Sequence, residues 1–279
     1  MPGFKFLGLM ILFCLSIQSH AAPIAGKYFD RAMFVIFENT NYATAMQQPF
    51  FKQLAGQGAQ FTNFMAITHP SQGNYIALTS GSQNGVTNDK SIDIDVHHIA
   101  DLLEAKGLTW KVYVEDFPGN CFTASSKAGY ARKHNPFISY LNVQKNPNRC
   151  ANITNVAQFD TDLKNGTLPN YIFYVPNIKN DGHDTGVAYA DKWFQKTFTP
   201  YLNNADFMKN TILISTFDES GASAKNQIYT TIVGPAVKAI SVSDNLSQYS
   251  LLSMIEDNWN LGNLGKADAT APALNMIWK

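Results

Sequence analysis

Four polar clusters hold the residue types that could do chemistry: Glu38-Asn39, Thr68-His69 with Ser71, the run Asn177, Asn180, Asp181, His183 and Asp184, and Asp218-Glu219. Carboxylate and amide oxygens with one or two imidazoles suit a hard or borderline divalent cation. A serine leading into a helix sits beside unpaired backbone N–H groups that favour an anion. A cation next to that serine would lower the hydroxyl pKa and yield an alkoxide without a dedicated general base. Together these features suit phosphoryl transfer through a phosphoserine. Each cluster alone has an ordinary reading: Asp218 or Glu38 as a cap, Asp181-Gly182 as a turn, His183 as a surface residue, Ser71 as a helix start. Their recurrence carries the chemical reading, because caps have no need of His and Asn at one strand end after another.

The positions of these residues follow from the elements around them. Apolar runs of strand length occur at Met33–Phe37, Phe61–Ile67, Trp110–Val114, Tyr171–Val175, Thr211–Phe217 and Ile228–Val233. Helical stretches fall between them at Phe50–Ala55, Asn74–Ser80, Ile99–Ala105, Ala188–Phe198 and Ser250–Trp259, with Gly81 and Gly107 as stops. Nearly continuous apolar strands alternating with helices predict an α/β fold, a mostly parallel central sheet with helices on both faces. All four clusters then follow carboxyl ends of strands, where open α/β sheets bind ligands. Residues 116–170 are polar, rich in Pro, Asn and Lys, and read as an insertion or lid beside the sheet. No linker divides residues 22–279, which are expected to form a single domain. Phe34, Phe37, Tyr171, Phe173 and Tyr174 read as core, and His97 and His98 as helix-start or surface residues.

The 279 residues are 45% hydrophobic, with 21 basic and 21 acidic side chains. That excludes a disordered chain, and no basic run gives the footprint of a nucleic-acid binder. Lys5, the 12-residue apolar run Phe6–Ile17 and Ser19-His20-Ala21 predict a secretory signal peptide over residues 1–21. No later stretch is apolar and long enough for a stable membrane anchor. Cys14 would leave with the leader, and Cys121 and Cys150 are then expected to pair in an oxidising compartment. Sequons at Asn152, Asn165 and Asn245 would carry glycans in a eukaryotic secretory pathway.

The clusters and their flanks resemble the phosphoesterase family of secreted acid phosphatases and bacterial-type phospholipases C, within the alkaline-phosphatase superfamily. The fungal-type acid phosphatases are the nearest in pattern. The matching stretches are FENTNY (37–42), THPSQGNYIALTSG (68–81), YVEDFPGNCF (113–122), ARKHNPF (131–137), PNIKNDGHDTG (176–186), STFDES (215–220) and DNWNLGNLG (257–265). The resemblance implies an alkaline-phosphatase-like fold and a divalent metal ion of unspecified identity and number. Glu38, Asn39, Asp218 and Glu219 match its metal-binding pairs. Ser71 matches the nucleophile, and Asn74 would donate a hydrogen bond to a phosphate oxygen. Asp181, His183 and Asp184 match a cluster supplying ligands or an acid–base group. His134 with Lys133 would contact phosphate or protonate the leaving group. His69 and Asn177 are expected at the substrate. Cys121 and Cys150 match the family's cysteine spacing.

One departure stands out. The family has a His-Tyr-Ser triplet after its last strand, and this chain reads Gln248-Tyr249-Ser250. A neutral amide is a poor ligand and shuttles no protons, so a single-metal enzyme and a weakened paralogue with a binding role both stay open. The expected activity is hydrolysis of small phosphate monoesters by a secreted, metal-dependent acid phosphatase. A phospholipase C-type phosphodiesterase is the alternative.

Overall fold

A computed structural model describes residues 24–221 and 225–279. The expected leader, residues 1–21, lies outside the described residues. Eight strands build the main sheet: β1 Arg31–Phe37, β2 Ala59–Phe61, β3 Trp110–Val114, β4 Ile153–Asn155, β5 Tyr171–Val175, β6 Thr211–Phe217, β7 Thr230–Val233 and β8 Ile240–Val242. Their order across the sheet is β8-β2-β7-β6-β1-β5-β3-β4. From β6 through β4 all neighbours run parallel, while β7 lies antiparallel to both β6 and β2.

The sheet is buried on both faces, which explains the uninterrupted apolar strands. Side chains alternate sides along β1. Phe37 packs on Phe51 and Phe194, from helices Pro49–Gln57 and Val187–Leu202. On the other side, Ile36 lines a common space with Tyr75 and Leu78 of helix Gln72–Ser80. That helix packs in turn against helix Gln248–Asn258. One hydrophobic cluster runs from Phe29 to Trp278 and includes Phe34, Phe37, Tyr171, Phe173 and Tyr174. No helix among the described residues is long and apolar enough to cross a membrane.

Three elements differ from expectation. The single strand expected over Phe61–Ile67 is two. Ala59–Phe61 joins the main sheet, and Phe64–Met65 pairs with Leu246–Ser247 in a separate two-stranded sheet. Thr62 and Asn63 break the run, each bonding by its side chain to residues 242–243. β4 and β8 carry too few apolar residues to show a strand pattern, and sheet pairing alone makes them extended. Finally, segment 116–170 is woven into the fold. It supplies edge strand β4, buried Phe137, Ile138 and Tyr140, and a 3-10 turn at Arg132–His134. Its cysteines, Cys121 and Cys150, form a disulfide with Cα atoms 5.6 Å apart.

His98 caps helix Ile99–Ala105, accepting from Ala100 N, and stacks on Tyr140 at 4.0 Å. Burial pushes its imidazole down to about 4, so the ring stays a neutral acceptor at neutral pH. His97 is exposed.

Candidate active site

Register places the acidic pairs. Phe37 is the Cα partner of Phe217, so Glu38 and Asp218 leave adjacent parallel strands side by side. Asp218 N donates to Phe37 O at 2.9 Å and Glu38 N donates to Asp181 O at 3.0 Å, which draws in the loop after β5 as well. Asn39 then turns the chain away with φ 41°, a left-handed conformation asparagine tolerates. Ser71 starts helix Gln72–Ser80, directly after a cis His69–Pro70 bond.

Four side chains converge on one point. Ser71 Oγ donates to Glu38 Oε2 at 3.0 Å or to Glu219 Oε1 at 3.2 Å, and Asn39 Oδ1 lies 3.5 Å away. Asn39 N donates to Asp218 Oδ1 at 3.3 Å. Ser71, Glu38, Asp218 and Glu219 are all buried. Burial, with Glu38 and Glu219 alongside, holds Asp218 well above the ordinary carboxylate range. Burial likewise raises Glu38 and Glu219.

This donor set fits a divalent cation. Glu38, Asp218 and Glu219 crowd one buried hydroxyl, and Asp218 Oδ2 is buried without a hydrogen-bond partner, an oxygen-rich anionic cluster of the kind a hard cation favours. Its charge would also reverse the upward pull on the three acids. A second grouping shares Glu38: ligand atoms of Glu38, His134 and Asp181 all lie within 4.8 Å of one another.

His134 is held inside this second grouping. Its Nε2 lies 3.2 Å from Glu38 Oε1 and its Nδ1 3.2 Å from Asp181 Oδ2, with the ring stacked on Tyr75. Tyr75 Oη donates to Glu38 Oε1 at 2.6 Å. Burial pushes His134 down to about 4 and Asp181 up to about 7. Both ring nitrogens face carboxylates and the side chain is 2% exposed, so His134 is not placed to protonate a departing group. His183 is better placed. It is 37% exposed, its ring centroid is 6.2 Å from that of His134, and its Nδ1 bonds Asp184 at 2.7 Å.

Several expected residues sit elsewhere or do other work. Asn74 accepts from Ile67 N and Thr68 N and donates to Thr68 O, so its amide fastens the loop before Ser71 instead of reaching toward phosphate. Asn177 organises the turn after β5. It donates to Asp116 Oδ2 and accepts from Lys179 N and Asn180 N, leaving no carbonyl for substrate. Asp184 is exposed and paired with His183, apart from the buried acids. His69 is exposed and pairs with Glu219 at the mouth of the site. Lys133 bonds Asp89 at 2.9 Å. Gln248, buried at the start of its helix, donates to Asp218 O at 2.8 Å and so steadies the backbone at that acid. Tyr75, Gln72 and Asp89 also contact the site, in roles that no sequence motif assigns. Only Gln72 and Tyr75, one and four positions after Ser71, were within reach of a local signal.

Against known proteins, the model of the phosphoesterase family matches residues 26–262. The chain belongs to the phosphoesterase family. An acid phosphatase of Aspergillus fumigatus is 36% identical to this phosphoesterase over 278 residues, covering 94% of this chain and 62% of that protein. A probable acid phosphatase of Kluyveromyces lactis is 36% identical over 270 residues, covering 92% and 64%. The chain thus spans somewhat under two thirds of the length of these fungal relatives. A phosphatidylinositol-3-phosphatase of Mycobacterium tuberculosis is 32% identical over 267 residues, covering 94% of this chain and 87% of that protein. Among solved structures, a Vibrio parahaemolyticus protein of the alkaline phosphatase superfamily superposes with TM-score 0.60 at 13% identity, covering 90% of this chain and 72% of that one. That likeness establishes the fold as the superfamily's, as expected.

Proposed function

We propose that this phosphoesterase hydrolyses phosphate monoesters with Ser71 as nucleophile. The observation that carries the reading is the Ser71 hydroxyl within 3.0–3.5 Å of oxygens from Glu38, Asn39 and Glu219. The relatives are all phosphatases, which supports a monoester over a diester.

A divalent cation held by Glu38, Asn39, Asp218 and Glu219 would lower the pKa of the Ser71 hydroxyl and neutralise phosphoryl charge. Ser71 Oγ attacks phosphorus as the bond to the leaving alcohol breaks in line, and the serine proton passes to a neighbouring carboxylate. Lys133 draws in the phosphate. His183, oriented by Asp184, protonates the departing oxygen. Water then attacks the phosphoserine and gives a proton to His183, which is restored, while Ser71 takes its proton back from the carboxylate. Tyr75 holds Glu38 in place throughout.

Export is part of the proposal. The Cys121–Cys150 disulfide supports an oxidising destination. Exposed Asn165 and Asn245, and half-buried Asn152, are the proposed glycan acceptors. The test is turnover of p-nitrophenyl phosphate against p-nitrophenylphosphorylcholine, with elemental analysis of the same sample. Faster cleavage of the choline diester would move the assignment to phospholipase C chemistry. Cleavage of neither ester would leave a binding role.

A further inference from the structure

Asp89 lies in the irregular stretch before helix Ile99–Ala105, and its carboxylate bridges two parts of the candidate site. Oδ1 accepts from Gln72 N at 2.9 Å, the first amide of the Ser71 helix. Oδ2 accepts from Lys133 Nζ at 2.9 Å. Asp89 is itself clasped from both flanks. The buried Gln72 side chain donates through Nε2 to Asn88 O at 3.4 Å and to Lys90 O at 3.0 Å. Lys90 N donates to Asn88 Oδ1 at 3.0 Å, closing a turn around Asp89. The residue that follows the nucleophile therefore fixes the carboxylate that fixes the lysine.

We infer that Asp89 is a positioning residue for phosphate binding, holding the Lys133 ammonium beside the start of the Ser71 helix. An ammonium has three donors, and Asp89 takes one, which leaves two for phosphoryl oxygens. Lys133 also feels Glu38 and Asp218, whose charges attract it. Without a nearer carboxylate it would fold toward them, occupying the donor set that suits a cation. Asp89 keeps it at the rim, where an incoming anion meets the two remaining donors of the ammonium. This rests on the reading of the site as a phosphate site, and deepens it.

The rival geometry is a carboxylate that occupies the anion position and must be displaced. The two differ in sign. The metal-loaded protein, Asp89→Asn, Asp89→Glu, Lys133→Ala and the double variant Asp89→Asn/Lys133→Ala are titrated with inorganic phosphate by calorimetry. KM and kcat are measured on p-nitrophenyl phosphate, with melting temperature as a fold control. Asp89→Asn and Lys133→Ala are each expected to weaken phosphate binding and raise KM by about tenfold, with a smaller change in kcat, the scale of one charge-assisted hydrogen bond. The double variant should bind no more weakly than Lys133→Ala, and Asp89→Glu should restore most of the affinity. Tighter or unchanged binding in Asp89→Asn, wild-type affinity in Lys133→Ala, additive losses, or no phosphate binding by the wild type overturns the inference. Lys133-dependent phosphate binding without ester turnover would remove the proposed activity and leave the Asp89 role standing.

Discussion

Ser71 Oγ lies 3.2 Å from Glu219 Oε1, although 148 residues separate the two. The β1–β6 register and the loop pinned by Asn74 bring them together, so the contact is built by elements distant in the chain. A buried hydroxyl within reach of two carboxylates has little structural purpose, since removing both acids would spare their desolvation cost. On the proposed reading, the arrangement serves catalysis.

Ser71→Ala tests that directly. The substitution leaves the helix start and the surrounding packing intact. Release of p-nitrophenol should fall by about a thousandfold or more, the scale for removing a nucleophile. Circular dichroism and melting temperature should stay near wild type. Turnover within tenfold of wild type would end the assignment.

If a divalent cation fills the site as proposed, removing it should cost stability as well as activity. In the metal-free site, burial raises Glu38, Asp218 and Glu219 above their ordinary values. An acid whose folded pKa is raised stabilises the fold below its unfolded pKa and loses that contribution as pH climbs through the folded pKa. The chelated protein should therefore melt lower as pH rises from about 4 toward neutral, while the metal-loaded protein should show a weaker trend. Calorimetric scans with and without a chelator check it, and parallel pH profiles would contradict it.

Glu256 offers the same test away from the site. It is buried in helix Gln248–Asn258, and burial with Asp268 alongside pushes it up from 4.5 to about 9. Its contribution is present in acid and fades as pH rises across that interval. Glu256→Gln, which mimics the protonated side chain, should flatten the fall in melting temperature between pH 5 and 9, about the interval over which a raised carboxyl loses its proton. An unchanged pH profile in the variant would show that Glu256 is ionised throughout.

Asp191 supports the layer behind the sheet. Its carboxylate, 3% exposed, accepts from Phe50 N at 3.0 Å and Phe51 N at 2.9 Å, capping helix Pro49–Gln57 from outside that helix. Asp191→Ala would leave both amides without a partner in a buried helix start. It should destabilise the protein by about 2–3 kcal/mol, the cost of lost charge-assisted bonds to buried donors. Urea unfolding measures this, and a change below about 0.5 kcal/mol, the scale of an ordinary surface substitution, would mean that water or a neighbour replaces the cap.

The sequence by itself determined the parallel sheet, the strand ends bearing Glu38, Asp218 and Asp181, and the pairing of Cys121 with Cys150. Apolar runs, breakers and acid pairs are local signals, and a strand's direction fixes where the residue after it emerges. Tertiary structure alone decided what each polar side chain does. Asn74 and Asn177 carry the right chemistry for a ligand contact, yet both are consumed by neighbouring groups of the fold. His134 is enclosed by Glu38 and Asp181, while His183 stays open. Asp89 enters the site from a stretch with no motif, because Gln72 clasps the backbone on both sides of it. A buried polar group must find partners wherever the fold puts them, and that choice depends on register and loop path, which periodicity does not encode.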